Sequence, residues 1–138
     1  MPEDIFVDTS AFYALLIRGD AAHEKMVSFL NAARRGKQRW VTTDYILDES
    51  ATLLLARGHP HLAEAVLSLP EKSRALAVHW MDADRFSRTR AMFSKYLDQG
   101  VSFTDCFSFC VMQDCGLHKA LTKDRRFEFA GFRRLLAV

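Results

Sequence analysis

Short apolar runs alternate with amphipathic stretches along the whole chain, and this alternation limits the fold more than any other feature of the sequence. Five apolar runs are predicted strands, at residues 5–7, 40–42, 76–80, 120–122 and 132–135. Six stretches with apolar residues at helical spacing are predicted helices, at residues 10–16, 21–35, 45–57, 61–69, 82–97 and 103–114. Strands that alternate with helices form parallel sheets covered by helices on both faces, so the sequence predicts an α/β fold.

Two of the predicted helices carry specific expectations about burial. The stretch 103–114 is apolar almost all round and should be deeply buried. In the stretch 82–97, Asp82 is a predicted N-cap. Phe86, Phe93 and Leu97 are expected on the buried face of that helix.

The composition sets limits on the class of protein. The 138 residues are one domain's worth of sequence, expected to span 1–138, and the net charge of +2 does not by itself indicate nucleic-acid binding. No signal peptide or membrane-spanning run is recognised. The odd, tight cluster of Cys106, Cys110 and Cys115 is expected to stay reduced, which favours a cytoplasmic protein with no membrane association.

Two aspartates follow predicted strands. Asp8 comes directly after the run 5–7, and Asp124 follows the run 120–122. The carboxyl ends of parallel strands share one edge of the sheet, which is where such sheets bind ligands. Aspartate is also common at turns and helix caps, so each residue taken alone has a purely structural alternative.

Asp105 and Glu49 are further acidic candidates, on predicted helices. Asp105 lies three residues after Ser102 in a passable capping box, which is its structural alternative. On the first turn of a buried helix, however, a carboxylate is favoured by the helix dipole and held rigidly. On the helical wheel of residues 45–57, Asp48 points away from the apolar face and should be solvated, whereas Glu49 lies on its flank.

Four carboxylates gathered at one place would repel one another, and some would take up protons. A divalent cation removes this cost, and Mg²⁺ or Mn²⁺ prefers hard oxygen ligands. Such ions activate water and stabilise both oxygens of an in-line phosphoryl displacement. The acids therefore suit metal-dependent phosphodiester hydrolysis, provided that they meet in space.

Five short segments share their order and spacing with a known family. They are Val7–Ser10, Gly19–His23, Thr43–Glu49, Ser102–Cys106 and Leu121–Phe127. Each segment is weak alone, but together they resemble the PIN-domain family and, within it, the VapC-like toxins. The resemblance covers the chain from residue 5 to about residue 134.

The resemblance implies a three-layer α/β/α sandwich with a mostly parallel central sheet, and an endoribonuclease that cleaves single-stranded RNA with Mg²⁺ or Mn²⁺. It also implies the toxin of a toxin–antitoxin pair, a homodimer, and a cognate antitoxin whose tail blocks the site. The acids that match the family's catalytic metal site are Asp8, Glu49, Asp105 and Asp124. The hydroxyl residues that match supporting positions are Thr9, Ser10, Thr104 and Thr122.

Two basic clusters are candidates for binding RNA. Lys123, Arg125 and Arg126 flank Asp124 and are predicted to bind phosphates beside the metal. An equal alternative is that they form a solvated basic loop with no binding role. Residues 34–39 hold four more cations between a predicted helix and strand. Favourable charges at a helix end explain that second cluster, although an extended RNA track stays open as its alternative.

Other chemistries fit the sequence less well. Cys106, Cys110 and His118 match no standard zinc spacing, and Ser10 lacks the context of a serine hydrolase nucleophile. A phosphoacceptor domain would need paired acids near the first strand, where only Asp8 is suitably placed. The main alternative is a non-catalytic PIN-like module that uses the same surface only to bind RNA or protein.

Overall fold

The structure is a computed structural model that describes residues 3–136, so residues 1–2 and 137–138 of the predicted domain lie outside it. The strands of the described residues are β1 (Ile5–Val7), β2 (Trp40–Thr43), β3 (Leu76–His79), β4 (Lys119–Leu121) and β5 (Arg133–Arg134). The helices are α1 (Thr9–Leu16), α2 (His23–Gly36), α3 (Asp44–Ala56), α4 (Pro60–Lys72), α5 (Ala83–Lys95), α6 (Phe103–Cys115) and α7 (Arg126–Phe129). A 3-10 turn at Leu97–Gln99 lies between α5 and α6.

The five strands form one parallel sheet in the order β3-β2-β1-β4-β5. The chain builds this sheet outward from β1, first through β2 to β3 and then, on the other side, from β4 to β5. The order therefore reverses between β1 and β4, which pair directly through Val7 and Leu121. In sheets of this kind, a ligand crevice opens beyond the carboxyl ends of the strands at such a reversal. Asp8 and Thr122 are the residues that follow these two strand ends.

Helices flank the sheet in two packed groups. Helix α3 packs against α1 and α4, and α1 also packs against α2, whereas α5 packs against α6. This arrangement confirms the predicted α/β/α sandwich with its parallel sheet. No helix within residues 3–136 combines the length and the apolar composition needed to cross a membrane.

Helix α6 lies at the centre of the core, as its sequence predicts. Every residue of the segment 106–112 is buried, and the Phe109 ring packs edge-on against Phe127 with centroids 5.0 Å apart. The helix begins where the Ser102 hydroxyl accepts the backbone N–H of Asp105 at 3.1 Å. Burial on all sides therefore fixes the first turn of α6, and Asp105 with it, relative to the strand ends.

The burial expected for the helix at 82–97 is wrong for two of its three residues, whereas Phe93 packs against the core. Phe86 is 48% exposed and Leu97 is 60% exposed, and Phe93 is only partly buried. The helix ends before Leu97, which falls in the 3-10 turn, where three residues rather than 3.6 complete a turn and the phase of the apolar stripe is lost. Within the described part of α5 the one fully buried residue is Thr89, whose hydroxyl lies 3.8 Å from the Cys110 sulfur on α6.

Two shorter elements also differ from their sequence patterns. The residues Arg126–Phe129 form α7, although four residues are too few to show a helical period. Strand β5 covers only Arg133–Arg134 of the predicted segment 132–135. Both differences lie at the edge of the sheet after β4, where Phe127 and Phe132 are buried in the core.

Candidate active site

Asp8 lies at the carboxyl end of β1, in the N-cap position of α1. Its side chain makes no capping hydrogen bond. Instead its Oδ2 accepts a hydrogen bond from the Thr122 hydroxyl at 2.6 Å, across the reversal between β1 and β4. The residue is only 5% exposed. Helix capping therefore does not account for the position of this carboxyl group.

Burial and like charges act together on Asp8. Burial raises the pKa of the Asp8 carboxyl to about 6, and the negative charges of Glu49 and Asp124 act in the same direction. The hydrogen bond from Thr122 acts in the opposite direction but does not cancel the effect of burial. A raised pKa means that the ionised form is disfavoured in the folded protein. Ionising Asp8 therefore costs the folded protein free energy, which a bound cation would offset.

Asp105 reaches the same place from the first turn of α6, where it is 8% exposed. Its backbone N–H is capped by Ser102, so that half of the predicted capping box is present. Burial, together with the charges of Asp8, Asp124 and Glu49, raises the pKa of the Asp105 carboxyl to about 7. The charges of the other three predicted acids therefore all act on Asp105.

Glu49 approaches from α3. Its carboxylate accepts a hydrogen bond from the Thr9 hydroxyl on α1, which holds the side chain toward the end of β1 although the residue itself is exposed. Asp48 is also exposed and lines a different hollow, along α3. The helical wheel of the sequence therefore predicts the orientation of these two neighbours correctly.

Asp124 has two roles in the structure. Its backbone N–H donates to the Thr122 hydroxyl at 3.0 Å, and its Oδ1 accepts the backbone N–H of Arg126 at 2.9 Å. The turn alternative thus applies to one of its carboxylate oxygens. The residue also borders the hollow that contains the other acids.

A hollow of about 380 Å³ at the strand ends, here called the acid hollow, brings the four acids together. Its lining residues are Asp8, Thr9, Ser10, Glu49, Leu53, Asp105, Lys123 and Asp124. Of the predicted hydroxyl residues, Thr9 and Ser10 line the acid hollow, and Thr122 is buried and orients Asp8. Thr104 lies apart from them, in the hollow along α3.

The three predicted RNA-binding cations differ in their surroundings. Lys123 lines the acid hollow, and its Nζ lies 2.7 Å from the Asp20 carboxylate. Arg126 lies 3.4 Å from Asp124, and Arg125 is exposed. The acid hollow is therefore bordered by cations on the side of the loop after β4.

Asp20 is the residue that the sequence argument missed. Burial acts to raise the pKa of the Asp20 carboxyl, but the hydrogen bond and the charge of Lys123 lower it below its ordinary value. Asp20 therefore stays ionised and holds the Lys123 side chain in place. The one signal in the sequence is that Asp20 belongs to the matching segment Gly19–His23. Nothing in that segment indicates a partner that lies 103 positions further along the chain.

The acid hollow is better suited to a hard cation that keeps part of its hydration shell than to a cation enclosed entirely by protein ligands. Carboxylate and hydroxyl oxygens are the donors that Mg²⁺ and Mn²⁺ prefer, and the raised pKa values of Asp8 and Asp105 indicate negative charge that a cation would neutralise. Within residues 3–136, however, no three His, Cys, Asp or Glu side chains stand close enough to enclose a metal ion by themselves. Mg²⁺ usually keeps several waters, so that one or two carboxylates suffice to hold it directly.

Comparison with known proteins agrees with this geometry. The PIN domain model matches residues 5–132. The 23S rRNA-specific endonuclease VapC20 of Mycobacterium tuberculosis is 32% identical over 137 residues, which cover 93% of this chain and 95% of that protein. The crystal structure of M. tuberculosis VapC20, a sarcin-ricin loop cleaving toxin, has a TM-score of 0.83 and 29% identity, with 96% of this chain and 98% of that chain covered.

A more distant structure shows the same fold. VapBC2 from Rickettsia felis has a TM-score of 0.65 at 8% identity, over 95% of this chain and 96% of that chain. Such low identity supports likeness of fold alone, whereas the match to the PIN domain model and to VapC20 extends over nearly the whole sequence. This chain is therefore a member of the PIN-domain family, close to the VapC20 toxin endonuclease.

Proposed function

We propose that this protein is a metal-dependent endoribonuclease that hydrolyses phosphodiester bonds in single-stranded RNA, as the toxin of a toxin–antitoxin pair. The observation that carries the proposal is the meeting of four carboxyl groups at the strand-order reversal, two of them buried with raised pKa values. Buried charge of one sign is costly to a fold, so its presence at a ligand-binding edge indicates a functional site.

Asp8, Glu49, Asp105 and Asp124 are the catalytic acids of this proposal, and they would hold Mg²⁺ or Mn²⁺ in part through the waters that the ion keeps. The bound cation would supply charge neutralisation and activation of water for in-line attack on phosphorus. The hydrogen bond from Thr122 fixes the orientation of Asp8, and the hydrogen bond from Thr9 fixes that of Glu49. These contacts preorganise the carboxylates before RNA arrives.

The phosphate backbone is bound by the cations after β4. Arg125 is exposed beside the acid hollow, and Arg126 extends from the same turn. Lys123 is held at the hollow by Asp20, so that its ammonium group meets a phosphate without a further loss of side-chain freedom. Ser10 accepts the backbone N–H of Lys123 at 3.0 Å and so ties this loop to α1.

The proposed partners follow from the relatives and the family. VapC20 acts on 23S rRNA, so ribosomal RNA is the first substrate to test for this chain. We also propose a homodimer and a cognate antitoxin that blocks the acid hollow. A cytoplasmic location agrees with the three cysteines, which are all free thiols.

The first test is cleavage of single-stranded RNA by the purified protein. We expect cleavage with Mg²⁺ or Mn²⁺, none with excess chelator, and recovery when the metal is restored. Asp105→Asn should abolish cleavage, because it removes a charged oxygen ligand while the buried side chain keeps its size. Asp98→Asn removes an equal charge from the 3-10 turn and should cleave as the parent does.

Two results would count against the proposal in different ways. Cleavage that survives complete chelation would exclude the metal-dependent mechanism. Tight RNA binding without cleavage under any metal condition would favour the non-catalytic module instead. Thermal melts of each variant would show whether a lost activity reflects lost folding.

A further inference from the structure

A second hollow, here called the side hollow, opens beside the acid hollow along α3. It measures about 550 Å³, and the two hollows share Glu49 and Leu53. The side hollow adds Tyr45, Asp48 and Thr52 from α3. These α3 residues recur every three or four positions, so they form one continuous face of the helix that leads away from the acids.

We propose that the side hollow binds one unpaired guanine base of the RNA substrate, and that Asp48 selects this base. The proposal rests on the endoribonuclease function, and it names a position of the substrate that the acids themselves do not recognise. Because Glu49 borders both hollows, the base belongs to a nucleotide adjacent to the phosphate at the acids.

The charges of the side hollow exclude the RNA backbone. Its charged lining residues among those described are Asp48 and Glu49, and both are negative. A phosphate group would be repelled there, because the side hollow has no cation among its described lining residues. The acid hollow has Lys123 and, under the proposed function, would also hold a divalent cation that attracts the phosphate. A nucleotide that places its phosphate at the acid hollow therefore directs its uncharged base into the side hollow.

The side hollow also offers a rigid surface for a base. The Tyr45 ring packs edge-on against Phe107, with centroids 5.4 Å apart, and in a tilted arrangement against Phe103, with centroids 6.1 Å apart. These contacts fix the Tyr45 ring, which is only partly buried and lines the hollow. Unpaired RNA bases stack on aromatic side chains of this kind.

Asp48 supplies the selectivity. Within residues 3–136 its carboxylate accepts no hydrogen bond and forms no ion pair, so both oxygens are available to a ligand. A carboxylate only accepts hydrogen bonds. The Watson–Crick edge of guanine presents two adjacent donors, N1–H and the N2 amino group, whereas each other base places an acceptor next to its donor. Guanine is therefore the base that a free carboxylate binds best, and in single-stranded RNA this edge is exposed.

The experiment maps cleavage of a single-stranded RNA pool with randomised sequence, by sequencing the product ends. We expect the parent to enrich guanine at one fixed position next to the cut. Asp48→Asn replaces one accepting oxygen by a donor and should reduce this enrichment by about tenfold, the factor that corresponds to one hydrogen bond to a charged group. Asp98→Asn is the matched control, since it removes the same charge from the distant 3-10 turn, and it should keep the parent's preference.

A second arm replaces that guanine by inosine, which lacks the N2 amino group. The parent should cleave the inosine RNA more slowly than the guanine RNA, and the difference should shrink in Asp48→Asn. An unchanged base preference in Asp48→Asn, with the variant folded, would overturn the inference while leaving the endoribonuclease intact. If the parent cuts no RNA, the endoribonuclease fails and this inference fails with it.

The same hollow would have another meaning if it were a contact between proteins. In that case Asp48→Asn would change the sedimentation coefficient of the protein and would slow cleavage equally for every sequence. That combination would also overturn the inference. A changed base preference at an unchanged sedimentation coefficient supports guanine selection by Asp48.

Discussion

The charged residues that line the hollow at the carboxyl edge of the sheet are mostly carboxylates, whereas those that line the cavity at its amino edge are cations, and the two sets differ in exposure. At the carboxyl edge, Asp8 and Asp105 are 5% and 8% exposed and lie in the acid hollow. At the amino edge, a cavity of about 410 Å³ lies between α2, β2 and β3, with apolar walls that include Leu30 and Leu76. The charged residues that line this cavity are Arg34, Lys37, Arg39 and Arg74, and all four are exposed cations.

The helix dipole explains the signs at both edges. Helices α1 and α3 begin directly after β1 and β2, so their positive ends point to the carboxyl edge. The negative end of α2 carries Arg34 and Arg35 in its last turn, at the amino edge. The dipole does not explain burial, however. Exposed cations at the amino edge keep their water, whereas Asp8 and Asp105 at the carboxyl edge have lost most of theirs, and only the second arrangement calls for a ligand.

The largest expected effect is on catalysis, and it should separate the two edges. Glu49→Gln removes one charged oxygen from the acid hollow and should reduce the rate of RNA cleavage by about a thousandfold, as loss of a strong electrostatic contact to the reacting groups does. Arg34→Gln at the amino edge should leave the rate within about twofold, because the residue is exposed and far from the acids. Single-turnover cleavage of one RNA by both variants makes the comparison. Equal losses would show that the amino edge also binds substrate.

The next effect is on the pH dependence of stability without metal. The folded pKa of Asp8 lies at about 6, above the ordinary 3.8, so the folded chain binds a proton more tightly than the unfolded chain does. Asp8 thereby contributes about 3 kcal/mol to the free energy of unfolding. This contribution is fully present below about pH 4 and is lost as the pH rises through about 6.

Asp8→Asn should remove this contribution. In the presence of chelator, its free energy of unfolding should fall less than that of the parent between about pH 4 and pH 8. Arg74→Gln, which alters the amino edge instead, should follow the parent. Denaturant titrations across this pH range measure the difference. Parallel curves for the parent and Asp8→Asn would mean that Asp8 is not under electrostatic strain.

The smallest expected effect concerns the two basic clusters. Replacing Arg125 and Arg126 by alanine should weaken RNA binding and reduce the slope of log affinity against log salt by about two, one for each lost phosphate contact. Replacing Arg34 and Arg35 in the same way should leave the slope unchanged, since that cluster ends α2. Filter binding at several salt concentrations gives the slopes. If the Arg34 and Arg35 variant also flattens the slope, an extended RNA track reaches the amino edge.

Periodicity predicted the strands and the long helices because their patterns are local. The order of the apolar segments, and the residues that follow them, also predicted that Asp8 and Asp124 would lie at the carboxyl edge of the sheet. The expectation failed for Phe86 because its exposure depends on tertiary packing, which no local pattern contains, and for Leu97 because the helix ends before it. The pairing of Asp20 with Lys123 is a contact between distant segments, and it was beyond the sequence argument for the same reason.

The bond between Thr122 and Asp8 joins residues 114 positions apart. The acid hollow also needs Asp124, which follows β4. Its acids therefore include one that follows β1, which is synthesised early, and one that follows β4, which is synthesised late. A nascent chain that has not yet produced β4 lacks one of the two strands that pair with β1, and it also lacks Asp124. The acid hollow can therefore form only after nearly all of the described sequence has been synthesised.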